Sequence, residues 1–331
     1  MNDVVRIGVL GTARIARTVI PHLAASRSAQ VTGIAGRSIE KARNFAREFE
    51  IPLAFGSYEE LLQCPEIDAV YIPLPPSMHQ EWTCRAAEAG KHVLCEKPLG
   101  RNSREAATMA QACMTAGVVL LDGVMWYHTE RARRIVEMTT ACLGPLTQIT
   151  SAFTFPGTRL PADDFRYSRE LGGGCLLDLG WYCAGVSCLL FDATPYRVYA
   201  TAVWKNGVDI HMNAILWFAG DRMATFECGF NAVRRRWLEV TGESAALVCD
   251  DFTRPWHADR PRFWIHGSEG ESTQHVVPHP PQEECMADAF CELVRERQVQ
   301  HKWLDLTLRT QRVCDALQQS AERNLTVDPG V

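Results

Sequence analysis

The chain has 331 residues, a length that predicts two domains with enough buried core to be stable. Hydrophobic residues make up 47% and the formal net charge is −5, so no overall basic field favours nucleic acid. No stretch reaches the roughly 18 apolar residues of a membrane span, and the N-terminus has no basic or apolar region of a secretory signal. We expect a cytoplasmic globular protein with no membrane or nucleic-acid partner.

The thirteen cysteines do not predict a disulfide scaffold, because their number is odd, their spacing is scattered and no Cys-x-x-Cys pair occurs. Several lie in apolar segments, where a free thiol packs as a small hydrophobic group, which indicates a reducing compartment. His257, His266, His275 and His279 are close in sequence, but no matching cysteine or carboxylate pattern accompanies them. We predict no metal site.

The first 123 residues alternate short apolar runs with amphipathic segments. The runs are too short for buried helices and predict parallel strands at residues 4–10, 30–35, 69–72, 92–95 and 118–122. The intervening segments predict helices at 15–26, 38–49, 77–89 and 103–116, with Ser38, Ser77 and Ser103 as N-caps and Gly90 and Gly117 as stops. This alternation predicts a doubly wound α/β sheet as the first domain, residues 1–123.

The second domain, residues 124–331, lacks the regular alternation of strand and helix. A helix is predicted at 128–140 and a long strand at 146–155. From 196 to 251 the chain reads as β runs separated by turn signals such as Asn206-Gly207. The apolar residues from Ile210 to Leu216 alternate with others, as on one half-buried antiparallel face. Two amphipathic helices, 283–298 and 303–322, end the pattern.

The loop at residues 11–16 follows the first strand and opens a helix. That context suits a dinucleotide phosphate loop, because pyrophosphate binds the free N–H groups of a helix N-terminus. Ala13 and Ala16 stand where glycines are usual, and an ordinary strand–turn–helix would also place a glycine at position 11. From the context we expect the loop to bind a cofactor through Gly11, Thr12, Ala13, Arg14 and Ile15.

The second predicted strand ends at Gly36-Arg37-Ser38, where an NAD enzyme would carry an acidic residue for the ribose hydroxyl. No acid is present. Arg37 could pair with a 2′-phosphate and Ser38 could hydrogen-bond it, which favours NADP, while NAD stays possible. The alternative is a surface arginine followed by a helix cap.

Two further segments are predicted to face the nicotinamide. Pro73 and Leu74 follow the strand at 69–72, at the sheet edge where such folds bind ligands. His79 is either a cofactor contact or a histidine that hydrogen-bonds its neighbours. Glu96-Lys97-Pro98 ends the next strand, and the proline holds Lys97 extended. We expect Glu96 and Lys97 to contact the cofactor, with a lowered pKa for Lys97 near a cationic ring; pairing of Lys97 with a core carboxylate is the alternative.

A glycine run at 172–174 precedes Asp178 and Tyr182, which at i and i+4 share one helix face. Tyr182 can donate and accept the proton of a substrate oxygen, with Lys97 lowering its pKa by charge. Asp178 would orient the substrate hydroxyl or the lysine. The alternative is that Tyr182 is an ordinary tyrosine and Asp178 a capping or ion-paired aspartate. The catalytic interpretation is favoured only because Lys97 supplies the third group that the chemistry needs.

Residues 8–16, 71–79, 89–99 and 172–182 resemble the GFO/IDH/MocA oxidoreductases, and the resemblance extends over essentially the whole chain. It implies a Rossmann domain, then an open, mostly antiparallel sheet that binds substrate and often builds a dimer or tetramer, with the last helix returning to the first domain. It also implies a catalytic Lys97, often with a cis Lys-Pro peptide. Tyr182 stands where many members have histidine, and Arg166 lies in a segment that is near cofactor or substrate in the tyrosine branch.

These features predict an NAD(P)-dependent oxidoreductase that transfers a hydride between nicotinamide and a carbinol or carbonyl carbon of a sugar or polyol. One alternative is a ketoreductase for a nucleotide-linked deoxysugar, with Arg131, Arg166 and residues 234–236 near the diphosphate. Another is a regulator of the same fold that senses NADP or sugar without catalysis. A homodimer or homotetramer is expected.

Overall fold

The computed structural model describes residues 4–161 and 163–330. Its internal contacts divide the chain into two compact units. The first comprises the described residues up to Met125 together with Pro280–Asp305, and the second comprises Trp126–His279 and the described chain from Leu306 onward.

The strands are β1 (Val5–Leu10), β2 (Ala29–Ala35), β3 (Leu53–Phe55), β4 (Ala69–Ile72), β5 (His92–Cys95), β6 (Leu120–Asp122), β7 (Leu146–Pro156), β8 (Arg197–Lys205), β9 (Val208–Phe218), β10 (Arg222–Gly229), β11 (Asn231–Gly242), β12 (Ala245–Cys249), β13 (Arg262–Gly267) and β14 (Ser272–Val276). The helices are α1 (Ala16–Ala25), α2 (Ile39–Glu48), α3 (Tyr58–Gln63), α4 (Pro76–Glu88), α5 (Ser103–Ala116), α6 (Glu130–Cys142), α7 (Trp181–Phe191), α8 (Gln282–Arg295) and α9 (Lys302–Arg323).

The first unit is built on a six-stranded parallel sheet in the order β3-β2-β1-β4-β5-β6. This is the predicted doubly wound α/β sheet. The strand order reverses between β1 and β4, the point at which such sheets open a crevice at the carboxyl ends of their strands. The sheet therefore places the loops after β1, β2 and β4 around a common crevice.

The helix ends of the first unit agree in part with the sequence predictions. The Ser38 side chain accepts a hydrogen bond from the helix backbone and caps α2 as predicted, and Gly117 ends α5 in the left-handed conformation, with φ 67°. Two predicted caps are wrong. Proline at the first position starts α4 before Ser77, and the Asn102 side chain, rather than Ser103, caps α5.

The hydrophobic core of the first unit includes a segment from the far end of the sequence. Phe290 and Met286 of α8 are fully buried in one cluster with Val19 and Leu23 of α1. The Ser26 hydroxyl, at the end of α1, hydrogen-bonds the Asp288 carboxylate at 2.5 Å. The segment that joins the first unit thus contains α8, whereas most of α9 groups with the second unit.

The second unit is built on an eight-stranded sheet in the order β14-β13-β12-β11-β7-β10-β9-β8. Only β7 and β10 pair in parallel among these neighbours, so the sheet is mostly antiparallel, as expected. Alternate residues are buried from Met212 to Phe218 in β9 and from Arg236 to Val240 in β11, and the residues between them are at least partly accessible. Helix α7 packs against β7 and β10 and is almost wholly buried, as its apolar sequence requires.

The described residues of the two units were compared with what a membrane span, a disulfide or a metal site would require. No helix among the described residues is long and apolar enough to cross a bilayer. All thirteen cysteines are free thiols. Across residues 4–161 and 163–330, no three His, Cys, Asp or Glu side chains are grouped so as to hold a metal ion.

Candidate active site

A cleft of about 510 Å³ lies in the first unit at the carboxyl ends of β1, β2 and β4. Seven of the predicted cofactor residues line it: Gly11, Thr12, Ala13, Arg37, Ser38, Pro73 and Leu74. The remaining lining residues are Gly36, Lys41, Tyr58 and Pro75. The predicted contacts Arg14, Ile15, His79, Glu96 and Lys97 are not among the described residues that line this cleft.

The phosphate loop has a backbone that only glycine adopts readily at its first position. Gly11 has φ +104°, and a Cβ atom there would lie 2.9 Å from Leu74 Cδ2 and 3.4 Å from the Tyr58 hydroxyl. Helix α1 begins at Ala16, and its first N–H groups donate to the carbonyl oxygens of the preceding turn, Ala16 to Ala13 and Arg17 to Arg14. A loop of this kind suits the approach of a phosphate to the backbone.

Two basic side chains line the part of the cleft formed after β2. Arg37 and Lys41 both line it, and both side chains are exposed. Burial raises the pKa of the Tyr58 hydroxyl, and the nearby Arg37 charge lowers it in part. Lys41 lies in the first turn of α2, three residues after Ser38, whose Oγ accepts a hydrogen bond from the Lys41 N–H at 3.4 Å. This cleft accommodates an anionic cofactor group better than a neutral one.

Sequence reasoning missed Lys41 and Tyr58 as cleft residues. The spacing of Lys41 from the Ser38 cap could have shown it, because a side chain in the first turn of a helix points toward the loop that precedes it. Tyr58 had no such signal. It begins α3, which follows the three-residue strand β3, and neither element is long enough to show a periodic pattern.

Lys97 lies in the turn after β5, next to the buried carboxyl group of Glu96. The Lys97–Pro98 peptide is cis, as the resemblance implies. Glu96 is 9% exposed, and its Oε1 accepts a hydrogen bond from the Tyr71 hydroxyl at 2.6 Å. Burial raises the pKa of Glu96, while hydrogen bonds from Tyr71 and from the Lys97 backbone N–H lower it. Glu96 therefore holds the backbone of the turn from within the core, and Lys97 itself is only partly buried.

His79 is fully buried, and both of its ring nitrogens face backbone carbonyl oxygens. Nε2 lies 2.7 Å from the Leu74 oxygen, and Nδ1 lies 3.0 Å from the Pro98 oxygen and 3.3 Å from that of Leu99. Burial lowers the pKa of His79, and the hydrogen bonds to these carbonyl groups raise it in part. Of the two readings of the sequence, these contacts are those of a histidine that hydrogen-bonds its neighbours.

In the second unit, Asp178 is held by an arginine. Arg166 Nε donates to Asp178 Oδ2 at 2.6 Å, and Arg166 Nη1 lies 3.1 Å from Asp164 Oδ1. Burial lowers the pKa of Arg166, but the two carboxylates outweigh this effect and leave the pKa above its ordinary value. Asp178 is 8% exposed. The ion pair stabilises the charged form of an otherwise buried carboxylate.

Tyr182 lies at the start of α7, one turn after Asp178. The segment Leu176–Gly180 is a π-helical turn rather than the α-helix expected from the sequence. With about 4.4 residues per turn, it still leaves side chains at i and i+4 on neighbouring sides of the helix. The Tyr182 ring packs edge-on against Phe153, with ring centroids 5.3 Å apart. Its side chain is partly buried.

The buried carboxyl group of Asp209 contacts the end of the glycine run. Asp209 Oδ2 accepts hydrogen bonds from the Leu176 N–H at 2.6 Å and from the Cys175 thiol at 3.1 Å. Gly174 has φ +113°, and a Cβ atom there would collide with Asp209 Oδ1. Burial raises the pKa of Asp209 to about 6, against these hydrogen bonds. The glycine run is thus needed for the close approach of Asp209, which fixes the start of the π turn.

Three of the arginines assigned to a substrate diphosphate have other partners in the second unit. Arg131 is 2% exposed and forms an ion pair with Asp251 at 2.5 Å, so its predicted role in the alternative function is wrong. Arg235 pairs with Glu227 at 2.7 Å. Arg236 donates to the Arg254 carbonyl oxygen and lies over the Trp256 ring. These side chains serve the packing of the sheet and its loops.

A doubly wound sheet with a glycine-led cleft where its strand order reverses is the arrangement of a dinucleotide-binding domain. Residues 5–124 match the family described as "Oxidoreductase family, NAD-binding Rossmann fold", and residues 129–273 match the "GFO/IDH/MocA C-terminal domain". The chain belongs to the GFO/IDH/MocA oxidoreductase family.

Several relatives are similar over most of their length. An uncharacterized oxidoreductase of Rhizobium meliloti is 34% identical, over 97% of this chain and 98% of that protein. D-xylose 1-dehydrogenase (NADP(+)) 2 of Haloferax volcanii is 40% identical, over 70% of this chain and 72% of that protein. The structure of a 3-ketoreductase from Actinomadura kijaniata in complex with NADP and TDP-benzene has a TM-score of 0.89, at 30% identity, over 96% of this chain and 98% of that one.

Proposed function

We propose that this protein is an NADP-dependent dehydrogenase or reductase that transfers a hydride between nicotinamide and a carbinol or carbonyl carbon of a sugar or polyol. The observation that carries the proposal is the Asp178–Tyr182 turn, in which Arg166 holds the carboxylate charged and a phenol follows one turn later. The D-xylose dehydrogenase among the relatives supports a sugar as the substrate class.

The cofactor side of the proposal rests on the cleft of the first unit. Gly11, Thr12 and Ala13 would hold the diphosphate, and Arg37, Ser38 and Lys41 would hold the 2′-phosphate of NADP. Their fit is supported by the close approach that only glycine permits at position 11 and by the two exposed positive charges. Cofactor binding is thereby proposed for the domain at 1–123 and substrate binding for the domain at 124–331.

The chemistry needs one hydride and one proton. A bound nicotinamide supplies or accepts the hydride at its ring carbon C4. In the reducing direction, Tyr182 would give the phenolic proton to the carbonyl oxygen as the carbon receives the hydride, and in oxidation it would take that proton back. The Lys97 ammonium would stabilise the phenolate, and Asp178 would accept a hydrogen bond from a neighbouring substrate hydroxyl. The sequence predicts that Arg166 contacts the cofactor. In this proposal it would orient the Asp178 carboxylate through their ion pair.

The proposal is tested by a substrate panel with two variants. Purified protein is given NADP⁺ with free aldoses and polyols, and NADPH with ketoses, while absorbance reports the cofactor. Lys97→Met and Tyr182→Phe should each lower kcat by about 10²–10⁴-fold, the usual contribution of general acid–base catalysis. Arg133→Ala, an exposed side chain on α6, is the matched control. Undiminished turnover in both variants would refute the assigned roles.

A ketoreductase for a nucleotide-linked deoxysugar is the second candidate. Three relatives are named dTDP-3,4-didehydro-2,6-dideoxy-alpha-D-glucose 3-reductase, and they are 30% to 36% identical to this chain. The 3-ketoreductase from Actinomadura kijaniata has also been solved as a Tyr→Phe and as a Lys→Ala variant. The loss of Arg131 as a diphosphate ligand weakens this candidate. Comparing kcat/KM on free sugars with that on dTDP-linked keto sugars separates the two.

We also propose the cytoplasm as the compartment and a homo-oligomer as the assembly. The thirteen free thiols support a reducing environment. The accessible face of the eight-stranded sheet carries large apolar side chains, among them Val203, which is 51% exposed, and Trp237, which is 37% exposed. A second copy that covers this face would remove them from water.

A further inference from the structure

Trp256, in the loop after β12, is an aromatic side chain that is held in place and yet is 40% exposed. Its indole Nε1 donates to the Asp250 carbonyl oxygen at 3.2 Å, and its backbone N–H donates to the Asp251 carboxylate at 2.6 Å. The guanidinium carbon of Arg236 lies 4.3 Å from the centre of a Trp256 ring. Because Arg236 covers one face of the indole, the exposed area belongs to the other face and the ring edge.

The Trp256 loop and Tyr182 lie on the same face of the eight-stranded sheet. Arg236 bridges to Asp251 in this loop and is the antiparallel cross-strand partner of Phe153 in β7. Side chains that are directly opposite on one sheet face have Cβ atoms roughly 5 Å apart. The Phe153 ring in turn packs against the Tyr182 ring. One row of side chains, Phe153 and Arg236, therefore separates the Tyr182 phenol from the Trp256 indole.

Positive charge is concentrated around this row. The pKa of Arg236 is lowered to about 10, first by burial and then by the positive charges of Arg234 and Arg254. Asp251 raises it in part, but that carboxylate is already paired with Arg131. Arg234 lies two residues before Arg236 on β11, and its side chain is exposed. An anion bound beside Arg234 would offset the repulsion between these guanidinium groups.

We propose that Trp256 and Arg234 form a second substrate subsite, which binds a phosphate-bearing ring attached to the sugar that reacts at Tyr182. The exposed indole face would stack on the ring, and the Arg234 guanidinium would pair with the phosphate. Arg236 would be a positioning residue, because it lies under the indole and its Nη1 donates to the Arg254 carbonyl oxygen.

This inference rests on the proposed function, because it takes Tyr182 as the end of the substrate site at which hydride is transferred. It narrows the substrate class to sugars that carry a phosphate next to a further ring. That ring and phosphate could come from a nucleoside diphosphate or from a second, phosphorylated sugar. A free aldose would leave the subsite empty.

Binding of substrate fragments tests the subsite without turnover. Calorimetric titrations use the purified protein saturated with NADP⁺, so that a nucleotide probe does not enter the cofactor cleft of the first unit. We expect dTDP or glucose 1-phosphate to bind at least about tenfold more tightly than thymidine or glucose, which lack the phosphate. The tighter of the two phosphorylated probes identifies the source of the ring.

Three variants resolve the contributions of the ring and the charge. Trp256→Ala should weaken binding of the tighter probe about tenfold by loss of stacking, and Arg234→Ala should weaken it about tenfold by loss of a charged hydrogen bond. Trp256→Phe keeps an aromatic ring and should keep the Kd within about threefold. A purely structural role for Trp256 would lower Tm in Trp256→Ala and leave the probe affinity unchanged.

Tyr196 and Arg197 provide the matched controls. Tyr196 is 52% exposed, and the Arg197 guanidinium carbon lies 5.7 Å from the centre of its ring, at the β8 edge of the same sheet. Tyr196→Ala and Arg197→Ala remove the same kinds of group from an arginine–aromatic pair away from Tyr182. Neither should change the probe Kd.

Two results would overturn the inference: wild-type protein that binds neither phosphorylated probe at millimolar concentration, or equal probe affinity in the wild type, Trp256→Ala and Arg234→Ala. The proposed function fails separately. If the probes bind through Trp256 but no sugar is oxidised or reduced, hydride transfer is refuted and the subsite stands. If free sugars are turned over and neither phosphorylated probe binds, the subsite is refuted and the proposed function stands.

Discussion

Arg37 and Lys41 place two positive charges at the end of the cleft where the sequence lacks the acidic residue of an NAD enzyme. Each can donate a charge-assisted hydrogen bond to a phosphate oxygen. Lys41 adds to the sequence-based argument, which rested on Arg37 and Ser38 alone. The structure therefore adds Lys41 to Arg37 as a second basic side chain that supports the expected preference for NADP.

Removing either charge should weaken NADPH binding selectively. We expect Arg37→Ala and Lys41→Ala to raise the NADPH Kd by roughly 10- to 100-fold, the equivalent of about 1.5–3 kcal/mol for a hydrogen bond to a charged group. The NADH Kd should change far less, because NADH has no 2′-phosphate. Fluorescence titration measures both, with the exposed Arg43→Ala on α2 as the control. Equal losses for the two cofactors would contradict the assignment.

Asp209 gives the stability of the second unit a pH dependence. Its pKa is about 6 in the folded protein, above the ordinary value of 3.8. Folding therefore favours the protonated form, so the stabilisation is complete below pH 3.8 and is lost as the pH rises through about 6. Asp209→Asn lacks this titration and keeps an oxygen for the Leu176 N–H.

Between pH 5 and pH 7.5, the unfolding free energy of the wild type should fall relative to Asp209→Asn by about 1–1.5 kcal/mol. Urea unfolding at several pH values measures this difference. Asp259→Asn, in an exposed loop, provides the control for a carboxylate lost at the surface. A pH-independent difference between wild type and Asp209→Asn would show that Asp209 does not titrate in this range.

At the scale of elements, Arg131 connects the first turn of α6 to the loop after β12. Its guanidinium group forms an ion pair with the Asp251 carboxylate and also donates to the carbonyl oxygens of Asp251 and Phe252. The Asp251 carboxylate accepts in addition from the Trp256 N–H at 2.6 Å. Both members of the pair are about 97% buried, so neither can exchange its partner for water.

Breaking this pair should destabilise the protein without a specific effect on cofactor binding. We expect Asp251→Ala to lower the unfolding free energy by about 3–5 kcal/mol, because it leaves a guanidinium charge buried without its partner. Calorimetry or urea unfolding measures the loss. Asp250→Ala, next in sequence and 30% exposed, should cost far less. A similar effect of the two substitutions would contradict the assigned importance of the pair.

The long elements could be predicted from the sequence, and the short ones could not. The strands β1, β2, β4 and β5 follow from apolar runs, and the helices between them follow from their periodicity and caps. Strand β3 and helix α3 have three and six residues and show no period. The π turn before α7 was missed because Asp209, which fixes its start, is distant in sequence.

The same limit applies to the candidate site. The phosphate loop, Arg37 and the Asp178–Tyr182 pair were identified because local sequence patterns carry them. The engagement of Arg131 by Asp251 depends on a residue 120 positions away, and that of His79 depends on a turn that an intervening strand separates from α4. Such contacts arise only from tertiary packing, and a single sequence does not show them.

At the scale of the whole molecule, the accessible face of the eight-stranded sheet should mediate self-association. We expect sedimentation of the wild type as a dimer or tetramer, and a shift toward monomer for Trp237→Asp, because a charge would enter an apolar contact. Tyr196→Asp changes an exposed aromatic side chain just before β8 and serves as the control. A wild type that is monomeric at micromolar concentration would contradict the proposed assembly.

The catalytic proposal requires that Lys97, Asp178 and Tyr182 act on one substrate beside one nicotinamide ring. A crystal structure with bound NADP⁺ and a substrate sugar measures this directly. We predict that Lys97 Nζ and Tyr182 Oη lie within about 3.2 Å of the oxygen on the reacting carbon, with Asp178 at the same distance from a neighbouring hydroxyl. Separation of any of these groups from the sugar by more than about 6 Å, beyond reach even through one water, would contradict the account.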